Sequence, residues 1–593
     1  MTVWISYLDQ ILLYAALALS LNLLLGYAGQ VSVAHAAFGA IGGYTMAYTT
    51  QAHGWNFLLG TALGMVIAFV IGTIVALPAL KLTVEYLILL TLGVSSVILG
   101  LVVAIPSLGG TYGLINLPAV DLFGWHLRSP TDWLIPSGVA MVLVYAVCHR
   151  IGESPAGRVL KGIREDPVAT GALGKNVFAY KVAVFGLTSA LAAFAGALIA
   201  GWLRLATPGV FGFSFSLTVF AIVIFGGMAN LTGTVVGAAI VVLLEPILER
   251  VIDLEPAKAG YVELIVYGLA LAVLMRLRPQ GALPEGFSVW GLLRGRRQST
   301  GRIEMVADWV PTTVQRVVEH DPAHEEPTLE EEQRREHAWH DAPVVLQTKG
   351  VSKRFGGIIA ADELDIELRR GTITALVGPN GAGKTTVFNL LTGAVAPDAG
   401  SILLHGEELV GLQPHQIARR GMVRSFQDVR LFNRLSCLQN VMLAVQGQPG
   451  EHAGKLFLSP RAVDRAEQET RERALAWLRF VGMGEFAAVP AGALSYGQTK
   501  LVSLARVLAT EADVLLLDEP ASGIDTKWVD TMLDLIEQVR DQGRTVCVVE
   551  HNLHVVGRLA DHTYFMELGR ITAQGTIAEL TSSPRLAEVY FGT

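Results

Sequence analysis

The first eighty residues contain neither lysine nor arginine. Soluble domains carry roughly a quarter charged residues, so a stretch this poor in charge is excluded from an ordinary water-facing surface. Charge is scarce throughout, at 16% of 593 residues against 52% hydrophobic, and the mean hydropathy is +0.46. Basicity is missing too. The net charge is -7, which argues against nucleic-acid binding, where a basic patch is expected. Cys148, Cys437 and Cys547 are the only cysteines. They are scattered and lack metal-ligand spacing, so they read as small core residues of a reducing compartment. Met1–Gln10 lacks a basic n-region and an Ala-x-Ala site, so no cleaved signal peptide is expected.

The apolar content is concentrated in the first half. A membrane-crossing helix needs about 20 mostly apolar residues, because hydrocarbon offers no partner to backbone polar groups. Candidate spans run near Leu8–Leu25, Phe57–Ala79, Tyr86–Ile105, Trp133–Cys148, Val182–Leu203, Leu217–Met228, Leu231–Leu248 and Val262–Met275. Tyr27–Tyr48 is apolar but rich in small residues and carries Gln30 and His35. It reads either as a closely packed span or as a broken, re-entrant one, which gives about eight or nine spans. Arg150, Arg158, Lys161, Arg164, Lys175 and Lys181 cluster in one loop, and Arg276, Arg278, Arg294, Arg296 and Arg297 follow the last span. The positive-inside rule places both regions, and Lys81 with them, in the cytoplasm. Trp4, Trp55 and Trp133 near span ends suit an aromatic belt. Asn22, Gln30, His35 and Glu245 either line a path through the membrane or serve helix contacts and helix ends.

Residues 281–342 break the pattern. "DPAHEEPTLEEEQRREHAWHDAP" is strongly charged and reads as a solvated linker, partly helical around Leu329–His337, that cannot bury a core. The expected division is thus a membrane domain over 1–280, a linker over 281–342 and a soluble domain over 343–593.

The soluble part opens on β-rich sequence. The strand "TITALV" runs directly into "GPNGAGKTT", Gly378 to Thr386, which fits Gly-x-x-x-x-Gly-Lys-Ser/Thr in the strand–loop–helix context the motif requires. Gly378, Gly381 and Gly383 let Pro379, Asn380 and Ala382 curl with them, so that backbone N–H groups converge on one concavity. A helix N-terminus adds partial positive charge there. Lys384 reaches the β- and γ-phosphates, and Thr385, beside Thr386, offers its hydroxyl to Mg²⁺. Downstream, "DVLLLDEP" is a buried strand ending in two carboxylates. Asp518 suits Mg²⁺, while Glu519 is placed to orient or deprotonate an attacking water. "TVCVVEH" places His551 at the carboxyl end of another strand, where open α/β sheets bind ligands.

"LSYGQ", Leu494–Gln498, resembles the signature motif of ATP-binding cassette (ABC) proteins, and the motifs above occur in that superfamily's order. The resemblance implies further roles. Phe355 in "SKRFGG" would stack on adenine. Gln427 in "VRSFQDVRLF" would contact Mg²⁺ beside the membrane partner, and Asp525 in "SGID" and His551 would act as D-loop and switch residues. Two cassettes would pack head to tail, holding ATP between one Lys384 loop and the partner's Ser495, Gly497 and Gln498.

"LNLLLGYAGQVSVAHAAFGAIGGYT", "IFGGMANLTGTVVGAAIV", "VRSFQDVRLFNRLSCLQNVMLA" and the terminal "EVYFG" are similar to the permease and ATPase subunits of branched-chain amino-acid importers. Departures are mild: "SGID" where that family usually reads Ala-Gly-Leu-Asn, and Thr499-Lys500 where two basic residues are commoner. The resemblance implies a polytopic all-α membrane domain fused to an α/β P-loop ATPase. It would be an inner-membrane importer working with ATP and Mg²⁺, with its ATPase in the cytoplasm. It also implies an external solute-binding protein and a second permease and second ATPase subunit, or a homodimer. Gly157–Lys175, helix-prone up to Pro167, would be the coupling helix that docks beside Gln427. Related permeases serve urea, short amides, nucleosides or sugars, so those substrates are the alternative. An ATP-gated channel is a further one, disfavoured by the intact Glu519.

Overall fold

The computed structural model describes residues 2–79, 84–252, 281–285 and 329–582, with a few isolated positions between 265 and 276. Lys81, most of the candidate span Val262–Met275, the basic run after Arg276, most of the expected linker and "EVYFG" lie outside the described residues. The chain divides into two compact units. One comprises 1–164 and 177–303; the other comprises 165–176 and 304–593.

The first unit is helical. α1 (Thr2–Asn22) ends in a wider π turn over Leu23–Tyr27. The chain then breaks until α2 (His35–His53), so the small-residue segment is interrupted over 28–34 and helical from His35. α3 (Phe57–Ala79), α4 (Val84–Ala104) and α5 (Pro130–Gly152) follow, with a short hairpin of β1 (Val120–Leu122) and β2 (Trp125–Leu127) before α5. Next come α6 (Pro155–Glu165), α7 (Pro167–Ala172), α8 (Val177–Leu203), α9 (Phe213–Gly226) and α10 (Leu231–Ile252). Among the described residues five helices are long and apolar enough to cross a membrane. The apolar stretches of α9 and α10 are shorter than a full crossing, and α2, with two His, three Thr and a Gln, is not among the five.

Small residues set the packing of this unit. A Cβ on Gly42 of α2 would lie 1.9 Å from the Ala193 carbonyl oxygen of α8, and one on Gly196 would lie 2.1 Å from the Gly39 oxygen. Helices without an aqueous hydrophobic drive between them gain their contact from such close approach. On the outer faces of α3, α4 and α5, Leu59, Val66, Leu89 and Ile135 are more than half exposed, as lipid-facing side chains should be. Trp4 and Trp55 are exposed as a belt requires, but Trp133 is buried, its ring filling the space beside Gly201.

Asn22 serves helix contacts. It accepts from the Ala229 N–H at 2.8 Å and donates to Thr234 Oγ1 at 2.6 Å on α10. His35 shares a 2.8 Å hydrogen bond with Ser20, and Gln30 donates to the Lys181 carbonyl. The Glu245 side chain lies outside the described residues.

The second unit holds two sheets. The antiparallel one is ordered β4 (Ile358–Leu364), β3 (Val344–Phe355), β7 (Ala399–Leu404), β8 (Glu407–Glu408), with β5 (Glu367–Arg369) also on β3. The other runs β13 (Arg570–Gly575), β12 (His562–Glu567), β6 (Ile373–Val377), β11 (Thr545–Val549), β10 (Val514–Asp518), β9 (Met422–Arg424), all parallel except β13. Successive residues of β10 feed opposite cores: Leu515 and Leu517 one, Val514 and Leu516 the other. This explains why "VLLL" is apolar without alternation: both faces are covered.

Two segments outside the expected 343–593 pack with this unit. α11 (Leu329–Asp341) includes the helical part of the expected linker, yet its Trp339 is buried, stacked on His562 at 3.9 Å with the Arg369 guanidinium 4.6 Å from the ring. Polar contacts assist it: Arg335 donates to the Arg558 carbonyl at 2.7 Å, and Glu336 meets His562 Nδ1 at 2.8 Å. The second segment is 165–176. Asp166 caps α7 through Val168 and Ala169, and Ala169 and Leu173 enter the larger core. Lys175 is fully buried, donating to the Val445 carbonyl at 2.8 Å and pairing with Glu451. Arg430 pairs with Asp166 at 3.0 Å, and Arg419 Nε donates to the Gly174 carbonyl at 2.9 Å. The docked part therefore begins at the end of α6 and includes α7. Arg164, one residue earlier, is bound instead within the first unit, to Glu285 at 2.8 Å.

Candidate functional site

Strand register gathers the site. Val377 pairs with Phe565, Leu376 with Val549, and Val549 with Asp518. The residues that follow these strands, Gly378, His551 and Glu519, therefore emerge at one carboxyl edge. Gln427 arrives three residues after β9, whose Arg424 is in register with Leu516.

The loop from Gly378 to Gly383 links β6 to α12 (Lys384–Leu391). Gly378 and Gly383 have φ of 151° and 107°, and a Cβ on them would lie 2.1 Å from the Met566 oxygen and 2.3 Å from the Ala360 oxygen. Only glycine fits this curl. Pro379 is half-buried, Asn380 and Gly381 are exposed, and Ala382 is buried as the loop's floor. Lys384 turns back over the loop, its ammonium donating to the carbonyls of Gly378 at 2.6 Å and Pro379 at 3.0 Å. Burial draws its pKa down, against the pull of Glu519 and Asp518. An ammonium held by two carbonyls inside a cradle of backbone N–H groups is a group waiting for phosphate oxygens. Thr385 is exposed and Thr386 half-buried on the first turn of α12.

Glu519 is the centre of the acidic side. Gln427 Nε2 donates to its Oε2 at 3.1 Å, and His551 Nδ1 lies 3.7 Å from its Oε1. Glu519, Gln427 and His551 are thus together. Glu519 has φ of 45°, a conformation that costs a non-glycine residue energy and is kept only where surroundings enforce it. Asp518 is buried beside it, and desolvation pushes its pKa up, opposed by Arg424. Asp518 offers a carboxylate, Gln427 an amide oxygen and Thr385 a hydroxyl, the hard oxygen chemistry that suits Mg²⁺.

Ser495 caps α13 (Tyr496–Leu508), closing a capping box with Gln498. Gly497 lies against the Trp528 ring, where a Cβ would come within 3.3 Å. Asp525 caps α14 (Thr526–Asp541) without a side-chain hydrogen bond, and Phe355 ends β3 half exposed. Cys148, Cys437 and Cys547 are free and buried, as expected of small core residues.

Sequence reasoning passed over two cations. Arg424 binds Asp518 at 2.6 Å while also engaging Asn389, and Lys500 donates to the Glu519 carbonyl at 2.8 Å. A basic residue inside the short apolar strand of "MVRSFQ" was a signal for the first. Lys500 gave none beyond its place after the signature.

Residues 4–275 match the model of a family described as branched-chain amino acid transport system / permease component, and residues 361–522 match that of ABC transporters. The high-affinity branched-chain amino acid transport ATP-binding protein BraF of Pseudomonas aeruginosa is 39% identical over 42% of this chain and 98% of its own length. The corresponding LivG of Escherichia coli is 37% identical over the same shares. A solved nucleotide-free ATP-binding cassette from an ABC transporter is 29% identical, covering 42% of this chain and 100% of its own, with a TM-score of 0.38. The chain therefore belongs to the branched-chain amino-acid ABC transporters, with permease and ATPase regions in one polypeptide.

Proposed function

We propose that this protein imports branched-chain amino acids across the inner membrane, driven by ATP hydrolysis on the cytoplasmic side and supplied by an external solute-binding protein. What carries the reading is the convergence of Lys384, Asp518, Glu519, Gln427 and His551 at one sheet edge, in a chain whose other half is a permease of this family. Lys384 exchanges its two loop carbonyls for β- and γ-phosphate oxygens. Thr385, Asp518 and Gln427 would hold Mg²⁺, which would supply neutralisation of the phosphate charge. Glu519 orients and deprotonates the water, with Gln427 and His551 fixing its carboxylate. Phe355 stacks on the adenine.

The site is completed by a second cassette, whose Ser495, Gly497 and Gln498 equivalents close over the nucleotide. That cassette belongs to a separate subunit, as does a second permease, or to a second copy of this chain. The segment 165–176 is the coupling element. It is bound among cassette residues and continues without interruption into α6 on one side and α8 on the other. Closure of the cassettes moves this segment, and the permease rocks between its two accesses.

Uptake of labelled leucine and labelled urea, compared in cells with and without the gene, tests the substrate. Gene-dependent uptake of leucine but not urea is expected. Uptake of urea alone would overturn the amino-acid assignment and leave the ATPase chemistry standing.

A further inference from the structure

Lys500 lies on α13 two residues beyond Gln498 and has no role in the chemistry above. It is 6% exposed. Burying an ammonium is costly unless it is paired or well hydrogen-bonded, so its partners are informative. Nζ donates to the backbone carbonyl of Glu519 at 2.8 Å and lies 3.5 Å from the carbonyl of Gln427. The Tyr496 ring sits 5.6 Å from the same nitrogen. Lys500 thus ends at the backbone of two residues whose side chains meet at 3.1 Å in the water-activating cluster.

The backbone of Glu519 requires such a hold. Its φ of 45° is left-handed, which a non-glycine residue keeps only when fixed from outside. The N–H is fixed by the Val549 carbonyl at 2.9 Å, and Lys500 fixes the other end of the residue. A charge-assisted bond is about twice as strong as a neutral one. A misplacement of about 1 Å at a reacting group can cost about a hundredfold in rate.

We infer that Lys500 is a positioning residue that sets the backbone of Glu519 and Gln427 from the signature helix. The helix that offers Ser495 and Gly497 to a partner's nucleotide thereby also sets the carboxylate of its own site. This rests on the reading of Glu519 as the water-activating group.

The test uses the full-length chain with its companion subunits in lipid nanodiscs, measuring steady-state ATPase kinetics and binding of a fluorescent ATP analogue. For Lys500→Met we expect kcat to fall about 10- to 100-fold, with KM and analogue affinity within about twofold, because Lys384 and its loop are untouched. Lys500→Arg keeps the charge and donors, and recovers most of kcat. Wild-type kcat in Lys500→Met, beside an inactive Glu519→Gln, would overturn the inference alone. Parallel loss of kcat and nucleotide affinity, not rescued by Lys500→Arg, would show a merely structural lysine and overturn it equally. A fully active Glu519→Gln would remove the water-activating reading and the inference with it.

Discussion

Lys175 offers the sharpest test of how the transporter's halves communicate. Its ammonium is fully buried, bound to the Val445 carbonyl and to Glu451, whose carboxylate is itself only 9% exposed. Lys175→Met keeps the length and removes the charge. Glu451 is then a buried carboxylate without its counter-ion, and breaking such a pair costs roughly 3–5 kcal/mol. The other polar contacts of the segment are weaker. Arg430–Asp166, with side chains 41% and 22% exposed, is worth about 0–1 kcal/mol. At about 1.4 kcal/mol per decade, the equilibrium constant for docking of 165–176 should fall by roughly two to three and a half orders of magnitude.

Hydrogen exchange of these amides in the full-length protein reads this directly. Exchange should quicken about a hundredfold or more, with ATPase activity largely kept and solute uptake lost. Replacing both partners, as in Lys175→Met with Glu451→Leu, leaves no orphan charge and should restore most of the protection. Unchanged protection in Lys175→Met would refute the reasoning.

Arg424→Met should lower the thermal midpoint of the cassette on the order of 10 °C, since it strips the counter-ion from buried Asp518. The deficit should widen as pH rises. Asp518 already binds its proton more tightly folded than its ordinary 3.8, so the folded state holds more protons above that pH and stability falls as the proton leaves. Losing Arg424 extends that window upward, so melting at pH 5 and pH 8 should show the larger gap at pH 8. Trp339→Ala should cost about 3–5 kcal/mol in denaturant unfolding of the cassette, because the ring is buried on His562 and its Nε1 donates to Thr374 at 3.2 Å. A solvated linker would show no change. Gly42→Val should lower the melting temperature of the permease, since its Cβ would lie 1.9 Å from the Ala193 oxygen, whereas Gly93→Val, with nothing within 4 Å, should not.

How much of this was legible in the sequence differs between the halves for a physical reason. The nucleotide loop, the paired acids and His551 belong to local patterns that dictate local structure, and parallel register then brings their ends together. Lipid-facing helices such as α3 are legible for a similar reason, and Phe57–Ala79 was placed to the residue. Roles that depend on long-range partners were not legible. Lys175 and Arg164 look alike as basic residues of one loop, yet one is buried against Glu451 and the other bound to Glu285. Trp339 could not be told from a linker residue without knowing that His562 would lie beneath it. Arg424 and Lys500 are visible as cations, but not as the groups that hold Asp518 and the Glu519 backbone.

The central claim is that hydrolysis at the Lys384–Glu519 site drives solute through the fused permease. The full transporter should be placed in liposomes with ATP inside and labelled leucine with its binding protein outside, and Glu519→Gln compared with wild type. Nucleotide binding should persist while both phosphate release and uptake fall to background. Uptake at the wild-type rate, with phosphate release abolished, would contradict the account.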